Sequence, residues 1–283
     1  MTPPPDLLLE PVVRLALAED LGRAGDLTAT ACVPPGTRMR GVIAARAPGV
    51  SAGLGLAPLT VRLLDPDARV ELLATDGQAI EGGVALVRLE GDACALLAAE
   101  RTLLNLIGRL CGVATLTRCY VDAVAGTAAR IADTRKTTPG LRALEKHAVR
   151  CGGGMNHRFG LDDAILIKDN HIAVCGGVAA AIRAARASAG HLVRVEVEVD
   201  TLGQFDVALG ERPDVIMLDN FDLAQLREAV ARAARLPARP VLEASGGVSL
   251  DTVRDIAATG VDVISVGALT HSAAALDIGL DVI

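Results

Sequence analysis

Aromatic side chains are nearly absent from this chain, whose 283 residues include no Trp, one Tyr and three Phe. Single-stranded nucleic-acid platforms need aromatic faces on which bases stack, so the composition argues against that class of binder. The formal net charge of -6 also differs from the basic balance that suits a nucleic-acid backbone. Hydrophobic residues make up 51% of the chain, but only 1% of the residues are aromatic. The core must therefore consist of Ala, Val, Leu and Ile.

Paired-cysteine patterns are missing as well. The six cysteines show no C-x-x-C spacing and no disulfide framework, which predicts reduced thiols in a cytoplasmic protein. No apolar run reaches the ~18 residues that a membrane span requires. The N-terminus is rich in Pro and then acidic, unlike the basic start of a signal peptide. We therefore expect a soluble, cytoplasmic protein.

Several well-known site motifs are absent too. The sequence has no Walker A motif, no G-x-G-x-x-G after a predicted strand and no G-x-S-x-G nucleophile elbow. It has no H-E-x-x-H, and its five His are scattered, so a metalloprotease site and structural zinc are not expected.

What the chain does have is a cationic segment inside an acidic protein. From residue 135 to residue 168 there are seven Arg or Lys against three acidic residues, an excess of four positive charges. Arg offers a planar fork for carboxylate or phosphate, and Gly lets backbone N–H groups approach oxygens. A solvated charged face is the alternative, but several of these cations stand beside Gly, Thr and Asn at strand ends and loops. The segment therefore predicts a site for a small polyanion.

The first part of the chain has the pattern of a small α/β domain. Apolar spacing predicts a helix over 7–21, broken early by Pro11, and a long helix from residue 95 to residue 112 or further. Between them, short alternating segments separated by Gly, Pro and Asp predict a largely antiparallel sheet. The predicted strands are 39–45, 61–64, 70–74 and 85–90.

Beyond residue 112, apolar strands and helices alternate, which is typical of parallel βα units with right-handed crossovers. Strands are predicted at 130–133, 164–168, 192–199, 215–218, 241–244 and 263–266. Six strands fall short of a full eight-stranded barrel. We expect an incomplete α/β barrel, with a doubly wound open sheet as the alternative, and an active site at the carboxyl ends of the strands in either case.

Polar residues follow these strands. Val residues occupy one face of the strand near residue 195, and Glu196 and Glu198 occupy the other, which predicts either a polar lumen or an edge strand. Glu198 and Asp219 suit Mg²⁺, which takes one or two protein carboxylates plus substrate phosphates. Gly-rich loops after the last two strands suit a phosphate bound through backbone N–H groups. The residues of these loops are Ser245, Gly246, Gly247, Val266, Gly267 and Ala268.

Six ordered motifs carry a resemblance to a known family. They are Asp-Thr-Arg-Lys-Thr-Thr-Pro-Gly-Leu, Gly-Gly-Gly-Met-Asn-His-Arg, Leu-Ile-Lys-Asp-Asn-His-Ile, Val-Glu-Val-Glu-Val, Ile-Met-Leu-Asp-Asn and Glu-Ala-Ser-Gly-Gly-Val. Together they closely resemble quinolinate phosphoribosyltransferase, the carboxylating nicotinate-nucleotide pyrophosphorylase of de novo NAD synthesis. The N-terminal Ala-Glu-Asp-Leu-Gly and Gly-Asp-Leu-Thr resemble that family's opening helix and turn, so the likeness covers nearly the whole chain.

The resemblance implies an architecture. An N-terminal α/β sandwich (residues 1–112, with 270–283 returning to it) would be joined to an incomplete, six- to seven-stranded α/β barrel (113–269). It also implies a homodimer or a multiple of dimers, such as a hexamer, with active sites shared between subunits.

The resemblance further implies a reaction: quinolinate and phosphoribosyl pyrophosphate give nicotinate mononucleotide, pyrophosphate and carbon dioxide, with Mg²⁺. Arg135, His157, Arg158 and Lys168 would hold the two ring carboxylates, and Arg101 would reach the site from the neighbouring subunit. The phosphoribosyl pyrophosphate would face Thr134, Lys136 and Lys168, with Lys136, Lys168, Glu198 and Asp219 as the catalytic group. Glu198 and Asp219 would bind ribose hydroxyls and Mg²⁺. The loops that contain Ser245 and Gly267 would bind the 5-phosphate.

Three alternatives remain open at this point. One is a paralogue of the same fold that is encoded with molybdate-uptake systems. A second is a Schiff-base aldolase with Lys168 as the nucleophile, since a desolvated Lys can serve in that role. The third is an anion-binding barrel without catalysis.

Overall fold

The computed structural model describes residues 2–283, which form two compact units. The first comprises the residues up to Arg118, Thr137–Gly153 and Leu269–Ile283, and the second comprises Cys119–Lys136 and Gly154–Ala268. Residues 137–153 therefore group with the first unit, although the predicted barrel domain included them. The domain boundary at residue 112 stays a prediction.

Helices and strands follow one another along the chain as follows: α1 Asp6–Leu21, α2 Leu27–Cys32, β1 Arg38–Ala45, β2 Gly49–Val50, α3 Leu56–Leu64, β3 Arg69–Leu72, β4 Ala79–Ile80, β5 Ala85–Asp92, α4 Ala93–Ala123, β6 Arg130–Ala132, α5 Arg142–Cys151, β7 Ile165–Ile167, α6 Asp169–Cys175, α7 Val178–Ser188, β8 Val195–Val199, α8 Leu202–Glu211, β9 Val215–Asp219, α9 Leu223–Ala233, β10 Val241–Ser245, α10 Val253–Ala257, β11 Val263–Ser265, α11 Ala268–His271 and β12 Ile278–Val282. Among residues 2–283, no helix combines the length and the apolarity that crossing a membrane requires.

The first unit contains a four-stranded antiparallel sheet in the order β12-β1-β5-β3. Strand β12 pairs with β1, which confirms that the C-terminal segment returns to this sheet. Alternate side chains of the sheet face one core, where Ile43, Leu89, Leu96 and Leu103 are buried together. The long helix α4 supplies the apolar stripe that the sequence predicted there.

Two local predictions in this unit are wrong. Residues 61–64 form the end of helix α3 and not a strand. Short apolar runs are ambiguous between the two, and here Leu56, Leu59 and Thr60 have helical spacing and are all buried. Pro11 does not break helix α1, which continues to Leu21. Pro11 removes one backbone donor near the start of the helix, and the buried side chains that follow hold the remaining turns in place.

A buried ion pair ties together the separate chain segments of the first unit. Glu145 of α5 is completely buried and accepts hydrogen bonds from Arg109 Nη2 at 2.9 Å and from the N–H of Thr138 at 2.9 Å. Arg109 belongs to α4, and its Nη1 donates to the carbonyl of Ala273 at 2.6 Å. One guanidinium and one carboxylate thus connect helix α4, helix α5 and the C-terminal segment.

The second unit contains a six-stranded parallel sheet in the order β6-β11-β10-β9-β8-β7. All six strands line one cavity, so the sheet curls into an incomplete barrel with β6 and β7 at its free edges. Met155 extends the β6 edge through a parallel bridge to Ala132. Strand β8 lies inside the sheet and Glu196 is buried, so the edge-strand interpretation is wrong and the polar lumen is confirmed.

The Glu145–Arg109 pair leads to a stability prediction. Glu145→Ala should lower the free energy of unfolding by about 3–5 kcal/mol, because it strands a largely buried guanidinium. Glu71→Ala breaks the ion pair of Glu71 with Arg88, in which both side chains are about half exposed. This control substitution should lower the free energy of unfolding by less than about 1 kcal/mol. Urea denaturation of both variants measures the difference, and equal losses would contradict the role given to Glu145.

Candidate active site

The register of the parallel sheet determines which side chains share its inner face at the carboxyl ends of the strands. Glu198 of β8 lies opposite Met217 of β9, and Asp219 of β9 lies opposite Ser245 of β10. Because side chains alternate along a strand, Asp219 is on the same face as Met217 and therefore as Glu198. Glu243, two residues before Ser245, lines the cavity on this face. The two carboxylates predicted for Mg²⁺ thus share one face of neighbouring strands, with Asp219 two residues beyond the residue opposite Glu198.

Lys168 and Glu198 form an ion pair at this edge. The Lys168 Nζ lies 2.7 Å from Glu198 Oε2, and the side chains are 46% and 15% exposed. The N–H of Lys168 donates to His171 Nδ1 at 2.9 Å, which holds the Lys168 backbone at the start of α6. Each charge is therefore compensated within the protein, and each has an exposed part that a ligand can reach.

A buried carboxylate, Asp133, organises the loop that follows Met155. Asp133 is completely buried at the end of β6. Its Oδ2 accepts a hydrogen bond from Asn156 Nδ2 at 2.6 Å, and its Oδ1 accepts one from the N–H of His157 at 2.8 Å. Since a buried carboxylate without donors would be costly, these bonds fix the position of residues 156 and 157 relative to the strand.

His157 links this loop to two further buried carboxylates. Its Nδ1 accepts a hydrogen bond from the N–H of Arg158 at 2.9 Å, so the ring proton is assigned to Nε2. His157 Nε2 lies 3.1 Å from Glu196 Oε2 and 3.6 Å from Glu243 Oε1. Burial and the neighbouring Glu196 carboxylate raise the pKa of Glu243 to about 7. The imidazole therefore faces inward, and its role as a ligand of ring carboxylates stays a prediction.

Arg158 lies in an environment that favours an anion. Its Nη1 donates to the carbonyl of Ala164 at 3.2 Å. Burial and the nearby positive charge of Arg135 lower the pKa of Arg158. Two guanidinium groups that repel each other are both stabilised when a negative charge binds near them.

Asn220 connects the turn after β9 to the end of β10 by a hydrogen bond. Its N–H donates to the carbonyl of Ser245 at 2.9 Å, and its Nδ2 donates to Asp219 Oδ2 at 2.7 Å. Asn220 adopts a left-handed conformation with φ of 57°, which few residues besides Gly and Asn tolerate. A Cβ at Gly246 would lie 2.2 Å from Asn220 Oδ1, so only Gly fits there. The orientation of the Asp219 carboxylate thus depends on both residues.

The second unit brings most of the predicted site residues to its strand ends. They are Thr134, Arg135, Lys136, His157, Arg158, Lys168, Glu198, Asp219, Ser245, Gly246, Gly247, Val266, Gly267 and Ala268. The N–H of Val266 donates to the carbonyl of Ala132 at 2.9 Å, so the sheet uses that donor. Arg101 belongs to the first unit, where it is exposed on helix α4.

Four residues with clear structural roles at the site were not assigned one from the sequence. Asp133, Asn220 and Glu243 contact the predicted site residues His157 and Asp219, and Asn156 donates a hydrogen bond to Asp133. A signal existed for Glu243, because a charged residue in the middle of an apolar parallel strand must face a polar interior. No sequence pattern predicts the hydrogen bonds of the other three.

Most of the chain matches the two domain models of one protein family. The family model described as quinolinate phosphoribosyl transferase, C-terminal domain, matches residues 113–281, and the N-terminal domain of that family matches residues 26–111. The nicotinate-nucleotide pyrophosphorylase (carboxylating) of Mycobacterium leprae is 50% identical over 271 residues, covering 95% of each chain. A probable enzyme of that name from Bacillus subtilis is 44% identical, covering 98% of this chain and 94% of its own.

Solved structures give the same result. The nicotinate-nucleotide pyrophosphorylase from Francisella tularensis superposes with a TM-score of 0.93 at 37% identity, covering 99% of this chain and 98% of its own. The similarity therefore extends over both units and includes the candidate site.

The contact between Asn220 and Gly246 leads to a prediction. Gly246→Ala should displace Asn220 and with it the Asp219 carboxylate, lowering kcat/KM at least about tenfold, since small misplacements of positioned groups are costly. Gly126→Ala is the control, because Gly126 also has a positive φ of 81° but has open space around its Cβ position. Steady-state kinetics and thermal unfolding of both variants separate the effects. Equal activity in the two variants would contradict the proposed positioning.

Proposed function

Because the chain belongs to the quinolinate phosphoribosyltransferase family, we propose that it transfers the phosphoribosyl group of phosphoribosyl pyrophosphate to quinolinate. The products are nicotinate mononucleotide, pyrophosphate and carbon dioxide, and the reaction serves de novo NAD biosynthesis. The observation that carries this proposal is the common inner face of the six strands, which places cations and carboxylates together at one edge. Both substrates are polyanions, and the excess of positive charge at residues 135–168 suits them.

The quinolinate pocket consists of cations held by the buried network. Arg135, Arg158 and Lys168 provide three charges for two ring carboxylates. Asp133 and the His157 imidazole fix the backbone on which Arg158 stands. The guanidinium is thus preorganised before the substrate arrives, which reduces the entropy lost on binding.

The transfer step needs positioning and charge stabilisation and no protein nucleophile. The ring nitrogen displaces pyrophosphate at the anomeric carbon through a state with positive charge on the ribosyl ring. The Glu198 and Asp219 carboxylates stabilise that charge, and Asn220 orients Asp219. Thr134, Lys136 and Lys168 face the departing pyrophosphate, and the N–H groups of the Ser245–Gly247 loop and of the loop at Gly267 and Ala268 hold the 5-phosphate.

The donor set at this edge fits Mg²⁺. Glu198 and Asp219 offer carboxylate oxygens on one face of neighbouring strands, and both side chains are partly exposed. A Mg²⁺ held by Glu198 and Asp219 would supply charge stabilisation for the substrate phosphates. Lys168 is paired with Glu198, so a Mg²⁺ bound at Glu198 would compete with the ammonium for that carboxylate.

Decarboxylation follows from the charge of the product ring. Loss of the 2-carboxylate as carbon dioxide leaves an electron pair on the ring carbon beside the cationic ring nitrogen, so the substrate is its own electron sink, and a proton from water then takes up that pair. The cations must therefore bind this carboxylate for the first step without stabilising it too strongly for the second.

The Schiff-base alternative has less support. An amine nucleophile must be neutral, which is usually achieved by burial in an apolar pocket. Lys168 is instead nearly half exposed and paired with a carboxylate.

We further propose that the protein assembles into dimers and works in the cytoplasm. Arg101, exposed on the first unit, completes the site of a neighbouring subunit, so the protein works as a homodimer or a multiple of dimers. All six cysteines are free thiols, which suits the reducing cytoplasm.

Nicotinate, which lacks the 2-carboxylate, should react at least about two orders of magnitude more slowly than quinolinate. A charge-assisted hydrogen bond contributes roughly 1.5–3 kcal/mol, and each 1.4 kcal/mol is about tenfold. Phthalate, which keeps both carboxylates but has no ring nitrogen, should compete with quinolinate and not react. Pyrophosphate release in the presence of Mg²⁺ measures all three compounds. Comparable turnover of nicotinate and quinolinate would refute the assignment.

The shared site predicts complementation. Arg101→Ala and Arg158→Ala should each abolish turnover and leave the fold intact. A mixture of the two should regain some activity, because one site of each mixed dimer carries neither change. Subunit exchange is verified separately by mixing differently tagged proteins. If subunits exchange and no activity returns, Arg101 does not act across a subunit boundary.

A further inference from the structure

Three side chains of different chemical type meet in the first unit, in a cluster that the proposed reaction does not use. Asp76 lies in the turn between β3 and β4, and His147 and Cys151 lie one turn apart on α5. His147 Nε2 is 2.7 Å from Asp76 Oδ2 and 3.4 Å from Cys151 Sγ. All three atoms lie within 4.8 Å of one another, so a carboxylate, an imidazole and a thiol converge on one position.

The cluster is almost closed to solvent. The side chain of His147 is 3% exposed and that of Asp76 is 13% exposed, and Cys151 is buried. His147 forms its hydrogen bonds through Nε2, because Nδ1 is buried and has no partner among residues 2–283. Asp76 Oδ1 accepts a hydrogen bond from the N–H of Leu54 at 3.1 Å, which leaves Oδ2 to face the imidazole. The three atoms are thus held in place, and an ion can enter past Asp76.

The geometry excludes a catalytic Cys-His-Asp triad. In such a triad the acid and the nucleophile contact different nitrogens of the ring, whereas here both face Nε2. Burial and the charge of Asp76 raise the pKa of the Cys151 thiol to about 12, so the thiol is not a nucleophile at neutral pH. A single proton on Nε2 cannot serve both neighbours, but a cation at the centre attracts all three atoms.

We propose that Asp76, His147 and Cys151 bind one Zn²⁺ ion, with water as the fourth ligand. Zn²⁺ accepts S, N and O ligands at about 2.0–2.3 Å, so ligands in a tetrahedron stand roughly 3.3–3.7 Å apart. The distance between His147 and Cys151 already has this value, and the distance between His147 and Asp76 needs to widen by roughly 0.6 Å. Binding releases the thiol proton to solvent, and the imidazole stays neutral with its proton on Nδ1.

This ion differs from the Mg²⁺ proposed at Glu198 and Asp219. Thiolate and imidazole suit Zn²⁺, whereas Mg²⁺ prefers oxygen ligands. The zinc joins helix α5 to the turn between β3 and β4, and so stabilises the first unit. The scattered histidines of the sequence do not predict it, because Asp76 precedes His147 by 71 residues and only the fold brings the two together.

Zinc binding is measured on the full-length protein, which is freed of metal and titrated with Zn²⁺ in competition with a chelator of known affinity. We expect one tightly bound Zn²⁺ per subunit, which excess Mg²⁺ does not displace. Cys151→Ser and Asp76→Asn should each weaken binding at least about a hundredfold, since loss of an outer-shell partner already costs about 10–100-fold. Cys175→Ser changes an exposed thiol on helix α6 and is the matched control, which should bind zinc like the wild type.

Co²⁺ provides a second readout that reports the thiolate directly. In the wild type, Co²⁺ should give a thiolate-to-metal charge-transfer band. Cys151→Ser should remove this band, whereas Cys175→Ser should keep it. Circular dichroism verifies that each variant is folded. If Cys151→Ser does not fold, the affinity of Asp76→Asn and the cobalt band of the wild type decide the question.

The outcomes do not depend on quinolinate turnover, so the zinc site and the proposed reaction are tested separately. Absence of a tightly bound Zn²⁺ in the wild type would refute the site. So would a wild-type affinity in Cys151→Ser or Asp76→Asn, or a cobalt complex of the wild type without a thiolate band. A protein that binds zinc in this way but does not turn over quinolinate would refute the reaction and keep the site.

Discussion

The hydrogen-bonded register of the six parallel strands decides which face of the sheet each polar strand residue of the second unit occupies. Each strand presents alternate residues to the interior, and the ladder fixes how far each strand is shifted relative to the next. Glu198, Asp219 and Ser245 share one face for this reason. A shift of one residue in any strand would send its polar residues into the apolar layer beneath the helices, so the site and the core depend on the same bonds.

Buried charge is the main cost of this arrangement. Asp133, Glu196 and Glu243 lie in the interior, where an unpaired carboxylate is strongly unfavourable. Asp133 is compensated by the donors of the neighbouring loop, and His157 stands against the other two. The same bonds that compensate these charges position Arg158. The position of Arg158 thus follows from the hydrogen bonds that the buried carboxylates require.

The polar interior also divides the incomplete barrel by charge. Positive side chains and the partly exposed carboxylates of Glu198 and Asp219 occupy the carboxyl end, and the buried carboxylates of Glu196 and Glu243 lie in the interior. A dicarboxylate is attracted to the first region and repelled by the second.

The sequence by itself determined where the parallel strands lie along the chain and which residues follow them, because alternation of apolar residues and the position of turn residues are local properties. The family resemblance implied that residues 270–283 return to the first domain, and residues 278–282 do pair with its sheet. The apolar pattern assigned residues 61–64 to a strand, since a short apolar run fits a helix equally well. Only the tertiary structure decided that Asp133 holds the His157 loop and that Asn220 fits against Gly246. These contacts join residues far apart in the chain, and their geometry depends on the register and curvature of the sheet, which no local pattern encodes.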